Sequence, residues 1–326
     1  MTSVSLSVGL TSSATDAEIA SIASCAEQNP VHGIWTGEDI GSNKDIFLQT
    51  YSVMKHAPSK YVGIGITSPL LRNITTIARV AETLSEANPT RFRLGLGVGG
   101  LRDLERLGIA FTRPVQRLES TVDALREIWA GEVLSRNSEG IELRQYQARY
   151  RPETVIPVYL GVRGPSLLKL AGKIADGVIL SGPVSYIEKA VRIVQNQRTR
   201  RTSRPPRVVA WLPTILTGRK ADIKFAKTVT ATVVADTPRS VLEMSDVDDD
   251  AIRVQDVARR RGYAAASSSV TDELLNHFTI AGGADHICSV FQSLGKLGVE
   301  EVVFGPPYGR RPLASIQEVA ETWART

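Results

Sequence analysis

The sequence predicts an α/β protein, a (β/α)8 barrel built as one domain over residues 1–326. Short, continuously apolar segments alternate along the chain with amphipathic helical patterns, as expected for parallel strands that are covered on both faces. Many of these strand segments begin roughly 30 residues apart, which is the length of one strand–turn–helix unit. Eight such segments are present, and eight units close into a barrel instead of an open sheet.

The predicted strands follow one another at 4–10, 33–36, 61–67, 92–98, 157–162, 177–180, 208–216 and 301–305. Helical spacing of apolar residues is clear at 16–29 and at 113–132 between them. The spacings after strands 4 and 7 exceed one unit. We therefore predict an insertion after each of these two strands, the second being helical and covering about residues 218–280.

The composition restricts the possible partners. A net charge of +5 and a hydrophobic content of 42% describe a chain that can bury a large core. The mild basic excess favours a small anionic ligand over nucleic acid. The basic segment at 197–207 contains no aromatic residue and is interpreted as a solvated loop. Because signal-peptide and membrane-span patterns are absent from the sequence, we expect a cytoplasmic protein that binds no membrane.

A metal site is not predicted. Cys25 and Cys288 lie far apart in helical patterns, so we expect two reduced thiols. Asp246 and the three aspartates at 248–250 precede a helical pattern. We interpret them as the charged first turn of that helix instead of a cation site.

Glycine recurs at the C-terminal ends of the predicted strands, where the active sites of such barrels lie. These exits read GLT, GEDIGS, GITSP, GVGG, GVRGP and SGP after strands 1 to 6, and GPPYG after strand 8. Glycine weakens a strand and is tolerated where another backbone or a flat ligand approaches closely. The exits are therefore interpreted as room for a ligand.

The segment after strand 5 suits a phosphate group. Gly164 and Pro165 occupy the N-cap and the first position of a helix predicted at 166–175. The free N–H groups of that helix face the barrel mouth, and Arg163 is a candidate for a charge-assisted hydrogen bond. An efficient strand-to-helix turn without any ligand is also compatible with these residues.

The GLGVGG segment matches the dinucleotide pattern G-x-G-x-x-G at Gly95, Gly97 and Gly100. It belongs to strand 4, however, and not to the first strand–helix unit. The acidic residue roughly 20 positions further on, Glu119, lies inside a helical pattern. A dinucleotide-binding open sheet is therefore not favoured.

Acid–base residues are scarce at the predicted mouth. Glu38 and Asp39 are the candidate catalytic residues, whereas Asp45 and Asp103 are equally compatible with a helix cap or first turn. The histidines are interpreted as structural or surface residues: His32, His56, His277 and His286. Glycine-lined exits with few acid–base groups suit a protein whose cofactor supplies the chemistry.

These segments resemble the bacterial-luciferase-like superfamily, and within it the coenzyme F420-dependent branch typified by methylenetetrahydromethanopterin reductase. The resemblance extends over nearly the whole chain. It is carried by GIWTGEDIGSNKDIF, GIGITSP, RFRLGLGVGG, RPVQRLESTVDALREIWAGE, IPVYLGVRGPSLLKLAGKIADGVILSGP and IAGGADHICSVFQSLGKLGVEEVVFGPP.

The resemblance implies an oxidoreductase that transfers hydride between the deazaflavin coenzyme F420 and a small organic or pterin-like substrate, and a homo-oligomer. It implies a non-prolyl cis peptide in a bulge of the third strand, at the position of Gly65 and Ile66. It also implies that the loop from Gly161 to Pro165 holds the phosphate. The candidate cofactor-binding residues are Gly65, Ile66, Thr67, Ser68, Gly97, Val98, Gly99, Gly161, Val162, Arg163, Gly164, Pro165 and Ser181.

The chain departs from the family pattern at several strand positions. Leu6 and Ser7 stand where the first strand often carries an acidic residue, and Gly100 stands where Asp or Glu often follows strand 4. Asp39 keeps the acidic position after strand 2. Two alternatives stay open. One is an FMN-dependent luciferase-like monooxygenase of the same superfamily, and the other is a non-catalytic, cofactor-binding or structural relative, which the missing acidic residues favour.

Overall fold

The computed structural model describes residues 4–42, 44–110, 112–197, 204–218, 220–245 and 248–326, and its centre is a closed barrel of parallel strands. Each strand pairs with the next along the chain, and the last pairs with the first. The predicted (β/α)8, or TIM, barrel is confirmed. The strands are β1 (Ser5–Thr11), β2 (Gly33–Gly37), β3 (Tyr61–Thr67), β4 (Phe92–Leu96), β5 (Val158–Gly161), β6 (Gly177–Leu180), β7 (Arg207–Trp211) and β8 (Glu301–Phe304).

Amphipathic helices surround the barrel and bury their apolar stripes against the strands, whereas the helices between Lys220 and Phe278 bury apolar residues mainly against one another. The first helix of the chain begins at Asp16 because Thr15 and Glu18 form a reciprocal capping box at its N-terminus. The helices are α1 (Asp16–Gln28), α2 (Ile46–His56), α3 (Ile74–Ala87), α4 (Leu101–Arg106), α5 (Pro114–Ala130), α6 (Pro165–Ile174), α7 (Val184–Gln195), α8 (Lys220–Ala235), α9 (Arg239–Leu242), α10 (Asp248–Arg261), α11 (Tyr263–Ala266), α12 (Asp272–Phe278), α13 (Ala284–Lys296) and α14 (Pro312–Ala324).

The predicted seventh strand is divided in the structure, so the prediction of one strand at 208–216 is wrong. Strand β7 ends at Trp211, and a separate short strand, Thr214–Leu216, pairs with Ile280–Gly282 outside the barrel. Pro213 stands between the two pieces. Because proline has no N–H to donate to a ladder, it separates them at this point.

Long connections leave the barrel after β4 and after β7. The first contains α4, α5 and an antiparallel hairpin of Leu134–Ser138 with Ile141–Tyr146, and the second contains α8 to α12. The predicted basic loop at 197–207 and acidic cluster fall partly outside the described residues, namely at 198–203 and at Asp246. Across the ranges that the structure describes, no group of three or more His, Cys, Asp or Glu is arranged to hold a metal ion. Nor is any helix within those ranges long and apolar enough to cross a membrane.

A cluster of buried charges lies at the N-terminal end of the barrel. Glu301 is fully buried and accepts hydrogen bonds from Ser7 Oγ at 2.6 Å and from Trp35 Nε1 at 2.7 Å. Arg93 NH1 donates to the other Glu301 oxygen at 2.6 Å, and Arg93 NH2 lies 3.0 Å from His32 Nε2. These contacts connect four barrel strands and the segment before β2, far from the strand exits.

Candidate functional site

The exits of β1 and β2 hold Asp39 in place through its backbone. Its N–H donates to Ser12 Oγ at 2.7 Å, and Ser12 Oγ donates in turn to the Asp39 carbonyl at 3.2 Å. The Asp39 side chain is exposed, with Oδ1 accepting from the Gly41 N–H at 3.1 Å. A fixed backbone with an exposed carboxylate allows Asp39 to contact a substrate at the mouth.

Glu38 is placed very differently from its neighbour. One of its carboxylate oxygens lies 2.5 Å from Arg72 NH2, and the other accepts from Thr67 Oγ1 at 2.8 Å. Arg72 also donates to Thr67 Oγ1 at 3.0 Å and pairs with Asp45 at 3.2 Å. We call Glu38, Asp45, Thr67 and Arg72 the Arg72 cluster. Since the Glu38 side chain is only 7% exposed, its carboxylate is committed to protein partners.

The third strand carries the bulge that the resemblance implied. The register between β3 and β4 shifts between Ile64 and Thr67, and the peptide bond between Gly65 and Ile66 is cis. The side chain of Ile66 lies against β4 and β5. A Cβ added to Gly97 would lie 3.0 Å from Ile66 Cδ1, and one added to Gly161 would overlap Ile66 Cγ2. The glycines of these two exits therefore accommodate Ile66.

The indole of Trp211, at the end of β7, forms the floor of the mouth. Its Nε1 donates to the Gly305 carbonyl at 2.6 Å. A Cβ added to Gly9 would lie 2.5 Å from the indole, and one added to Gly65 would lie 3.1 Å from it. The glycine exits thus admit a large aromatic side chain of the protein itself.

The interpretation of the exit glycines as open room for a ligand is therefore wrong for several strands. Protein atoms occupy the space beside Gly9, Gly65, Gly95, Gly97 and Gly161. A cofactor-binding role of Gly65, Gly97 and Gly161 would rest on their backbone. What the glycines create is a compact apolar floor made by Ile66 and Trp211.

The loop after β5 has the conformation that the phosphate prediction needs. Gly164 adopts φ 86° and ψ 147° and serves as the N-cap of α6, with Pro165 at the first helical position. Within the described residues, this cap receives no side-chain hydrogen bond. Val162 is buried and Arg163 is exposed to solvent. Although solvent reaches the Arg163 side chain, the surrounding protein atoms partly desolvate its guanidinium and lower its pKa.

The exit of β6 brings a second helix end to the same place. Ser181 is half-buried there, and α7 begins after Pro183. Ser185 Oγ and Tyr186 Oη are buried and have no hydrogen-bond partner of normal geometry among the described residues. Tyr186 lies near the backbone of Gly164, and burial raises the pKa of its phenol to about 12. The hydroxyl therefore keeps its proton and remains a donor.

Thr67 and Ser68, two predicted cofactor residues, direct their hydroxyls into the protein. Ser68 Oγ donates to the Val98 carbonyl at 2.7 Å and accepts from the Leu70 N–H at 3.2 Å. Thr67 belongs to the Arg72 cluster. Gly99, with φ 95°, follows Val98 in this crossing between the exits of β3 and β4. Both hydroxyls thus organise backbone at the mouth.

Several residues outside the predicted site have clear structural roles. Asp45 is the N-cap of α2, accepting from the N–H groups of Phe47 and Leu48. His32 contacts Arg93 at the N-terminal end of the barrel, which agrees with the structural role predicted for it. Sequence reasoning missed Arg72, Trp211 and Tyr186. The available signal for Trp211 was its two-residue spacing from Val209, which places both on the inner face of β7.

Comparisons with known proteins agree with this architecture. The family model described as luciferase-like monooxygenase matches residues 1–301. The chain is 26% identical to 5,10-methylenetetrahydromethanopterin reductase from Archaeoglobus fulgidus, covering 91% of each chain. It is 29% identical to the protein of the same name from Methanolobus tindarius, covering 90% of this chain and 91% of that one.

A solved structure gives the same result for the fold. The coenzyme F420 dependent tetrahydromethanopterin reductase from Methanopyrus kandleri superposes with a TM-score of 0.88. The two chains are 23% identical, and the superposition covers 99% of each. At this identity the likeness concerns the fold, including the course of the chain through the long connections.

Proposed function

This chain belongs to the luciferase-like monooxygenase family, and we propose that it is an oxidoreductase that uses coenzyme F420. Its proposed reaction is hydride transfer between that coenzyme and a small organic or pterin-like substrate. The two relatives from Archaeoglobus fulgidus and Methanolobus tindarius are named as reductases of a methylene pterin. The solved reductase of the same fold is named as coenzyme F420 dependent. A homo-oligomer is proposed with it.

One observation supports a phosphorylated cofactor more than any other. The exits of β5 and β6 place two helix N-termini together, next to Arg163 and to the buried donors Ser185 Oγ and Tyr186 Oη. Helix N-termini with free donors and a nearby cation bind phosphate. A buried donor without a partner costs free energy until a ligand supplies one. These residues fit the phosphate of the coenzyme.

The floor of the mouth fits the other half of such a cofactor. Ile66 and Trp211 present apolar, partly buried surface beside the Gly65 backbone. A planar ring can cover such a surface and exclude water from it. The coenzyme, when bound, supplies the hydride-transfer chemistry at C5 of its ring. The chain itself binds the phosphate, supports the ring and positions the second substrate.

Of the two acidic candidates, we assign substrate contact to Asp39. Its carboxylate is exposed on a fixed backbone, whereas the carboxylate of Glu38 is committed to Arg72 and Thr67. A general acid or base must reach the atom that it serves. Asp39 meets that condition at the mouth, and Glu38 does not.

The decisive experiment is a binding titration of the purified protein with coenzyme F420 and, separately, with FMN. We expect coenzyme F420 to bind at least about tenfold more tightly than FMN. The indole of Trp211 is a suitable reporter, because a ring that covers it would quench its fluorescence. Reduced coenzyme would then be mixed with a methylene pterin and with small ketones while its oxidation is followed.

Two outcomes would contradict the proposal. Tighter binding of FMN, with oxygen consumed by the reduced flavin, would favour the monooxygenase. Binding of neither cofactor would favour a relative without this chemistry. As an internal control, Asp39→Asn should leave the dissociation constant of the coenzyme unchanged while slowing turnover, since Asp39 is assigned to the substrate.

A further inference from the structure

The Arg72 cluster connects the exits of β2 and β3 through one guanidinium. Arg72 extends from the segment that follows β3, Glu38 follows β2, and Asp45 caps α2. The Thr67 carbonyl accepts from the Gly97 N–H at 3.0 Å, which extends the connection to β4. The Arg72 guanidinium also lies 4.9 Å from the Phe47 ring centroid. The cluster therefore ties together the backbone around the proposed ring site.

The cluster is not an ordinary surface ion pair. Side-chain exposure is 17% for Arg72 and 7% for Glu38, so solvent screens their interaction weakly. Burial acts to lower the pKa of Arg72, but the hydrogen bonds and charges of Glu38 and Asp45 together outweigh it, and the pKa is raised. The Arg72 guanidinium therefore stays charged beside the Glu38 carboxylate group.

The hydroxyl of Thr67 lies between the two charged groups of this pair. Its hydroxyl donates to Glu38 and accepts from Arg72, so both hydrogen-bonding directions of the hydroxyl are used. Thr67 directly follows the bulge at Gly65 and Ile66. Fixing the Thr67 hydroxyl between two charged groups fixes the backbone that leaves the bulge.

We propose that Arg72 is a positioning residue for the cofactor site, acting through Thr67 and Glu38 on the backbone from Gly65 to Ser68. The inference rests on the proposed function. It assigns Glu38 a positioning role as well, in place of the catalytic role expected from its location. A site held in the bound conformation binds its ligand more tightly than one that must be ordered on binding.

The test is a double-mutant cycle on coenzyme F420 affinity with Arg72→Met, Thr67→Val and the double variant. We expect Arg72→Met to raise the dissociation constant at least about tenfold. Thr67→Val keeps the side-chain shape and removes the hydroxyl. If Arg72 acts through Thr67, the double variant should bind no more weakly than Arg72→Met alone, because the two changes remove one shared interaction.

Two further variants keep the test interpretable. Arg72→Lys keeps the charge beside Glu38 but lacks the planar guanidinium that also reaches Thr67. Its affinity for the coenzyme should therefore lie between those of the wild type and Arg72→Met. This variant carries the test if Arg72→Met folds poorly. Arg79→Met is the matched control. Arg79 is exposed on α3 and donates to the Thr75 carbonyl of the same helix, so coenzyme affinity should be unchanged.

The outcomes separate this inference from the proposed function. Additive effects of Arg72→Met and Thr67→Val would overturn it, and so would a loss of stability without a change in affinity. If the wild-type protein binds coenzyme F420, and if Arg72→Met and Arg72→Lys both bind it as tightly as the wild type does, the positioning role is wrong and the proposed function stands. If the wild-type protein does not bind the coenzyme, both are wrong.

Discussion

The two ends of the barrel each contain an arginine–glutamate pair, and the pairs do different work. At the N-terminal end, Arg93 and Glu301 have side chains that are 5% and 0% exposed and lie 2.6 Å apart. At the mouth, Arg72 and Glu38 are 17% and 7% exposed and lie 2.5 Å apart. The N–O distances and the side-chain exposures of the two pairs are similar, so neither quantity identifies the functional end of the barrel.

What differs is the group that each pair holds. Glu301 is surrounded by side chains, Ser7 and Trp35 among them, inside a closed set of strands. The Arg72 cluster instead acts on backbone, next to a bulge and to a floor that solvent partly reaches. In barrels of this type the C-terminal end carries chemistry and the other end carries stability. The comparison shows that the role of a buried ion pair depends on which groups it holds in position.

The largest expected effect comes from breaking the pair at the N-terminal end. Arg93→Met removes the guanidinium that lies 2.6 Å from the buried Glu301 and leaves Arg207 NH2 at 3.8 Å as the remaining counter-charge. The free energy of unfolding in urea should therefore fall by about 3 kcal/mol. The affinity of the folded fraction for coenzyme F420 should not change. Arg192→Met, which removes an exposed pair with Glu188 on α7, should cost less than about 1 kcal/mol. Equal losses for the two variants would mean that the buried cluster contributes nothing special.

A smaller effect on folding, with a larger one on binding, is expected at the mouth. Gly164 has φ 86° and ψ 147°, a region that side chains disfavour, so Gly164→Ala should cost about 1–3 kcal/mol of unfolding free energy. It should also raise the dissociation constant of coenzyme F420 about tenfold, since the methyl group would lie 3.4 Å from Ser240 Oγ at the N-terminus of α6 that we propose for the phosphate. Urea unfolding and a binding titration measure the two effects.

The chain supplies a control with nearly the same backbone. Gly262 has φ 82° and ψ 168° and is also the N-cap of a helix, α11. Gly262→Ala should therefore lose a similar amount of stability while its coenzyme affinity stays at the wild-type value. An unchanged affinity in Gly164→Ala would place the phosphate elsewhere. An equal loss in both variants would show that the affinity follows the backbone strain and not the phosphate site.

Much of the fold followed from local patterns, and less of the site did. Alternating apolar segments and glycine exits sufficed for the barrel and for the end at which the loop Gly161 to Pro165 lies. The division of the seventh strand is also readable, because Pro213 interrupts it. The contact of Arg72 with Glu38 was not predictable, since it depends on barrel closure and on loop conformations that neither segment specifies alone.

The exit glycines show a second limit of sequence reasoning. A missing Cβ indicates that something approaches the backbone, but the sequence does not reveal what does. At Gly9 and Gly65 it is the indole of Trp211, contributed by a strand more than a hundred residues away in the chain. The space that the sequence suggested for a ligand is filled in the structure by the apolar floor on which we propose that the coenzyme ring lies.

The smallest expected effect is a pH dependence confined to the N-terminal end. Arg93 NH2 can only donate, so His32 Nε2 accepts and the imidazole is neutral. Burial lowers the pKa of His32, with Arg93 and Arg207 acting in the same direction and Glu301 against it. The unfolded chain therefore takes up a proton at a higher pH than the folded one does.

It follows that the free energy of unfolding should decrease as the pH falls below the ordinary histidine value of about 6.5, and should be fully retained above it. His32→Gln keeps an acceptor for Arg93 and does not titrate, so it should flatten this part of the profile. Urea midpoints measured between about pH 8 and pH 6 test the difference. His56→Gln, at the exposed end of α2, should leave the slope intact. An unchanged slope in His32→Gln would show that the histidine is not held neutral by Arg93, and that the N-terminal cluster is more tolerant of charge than its burial indicates.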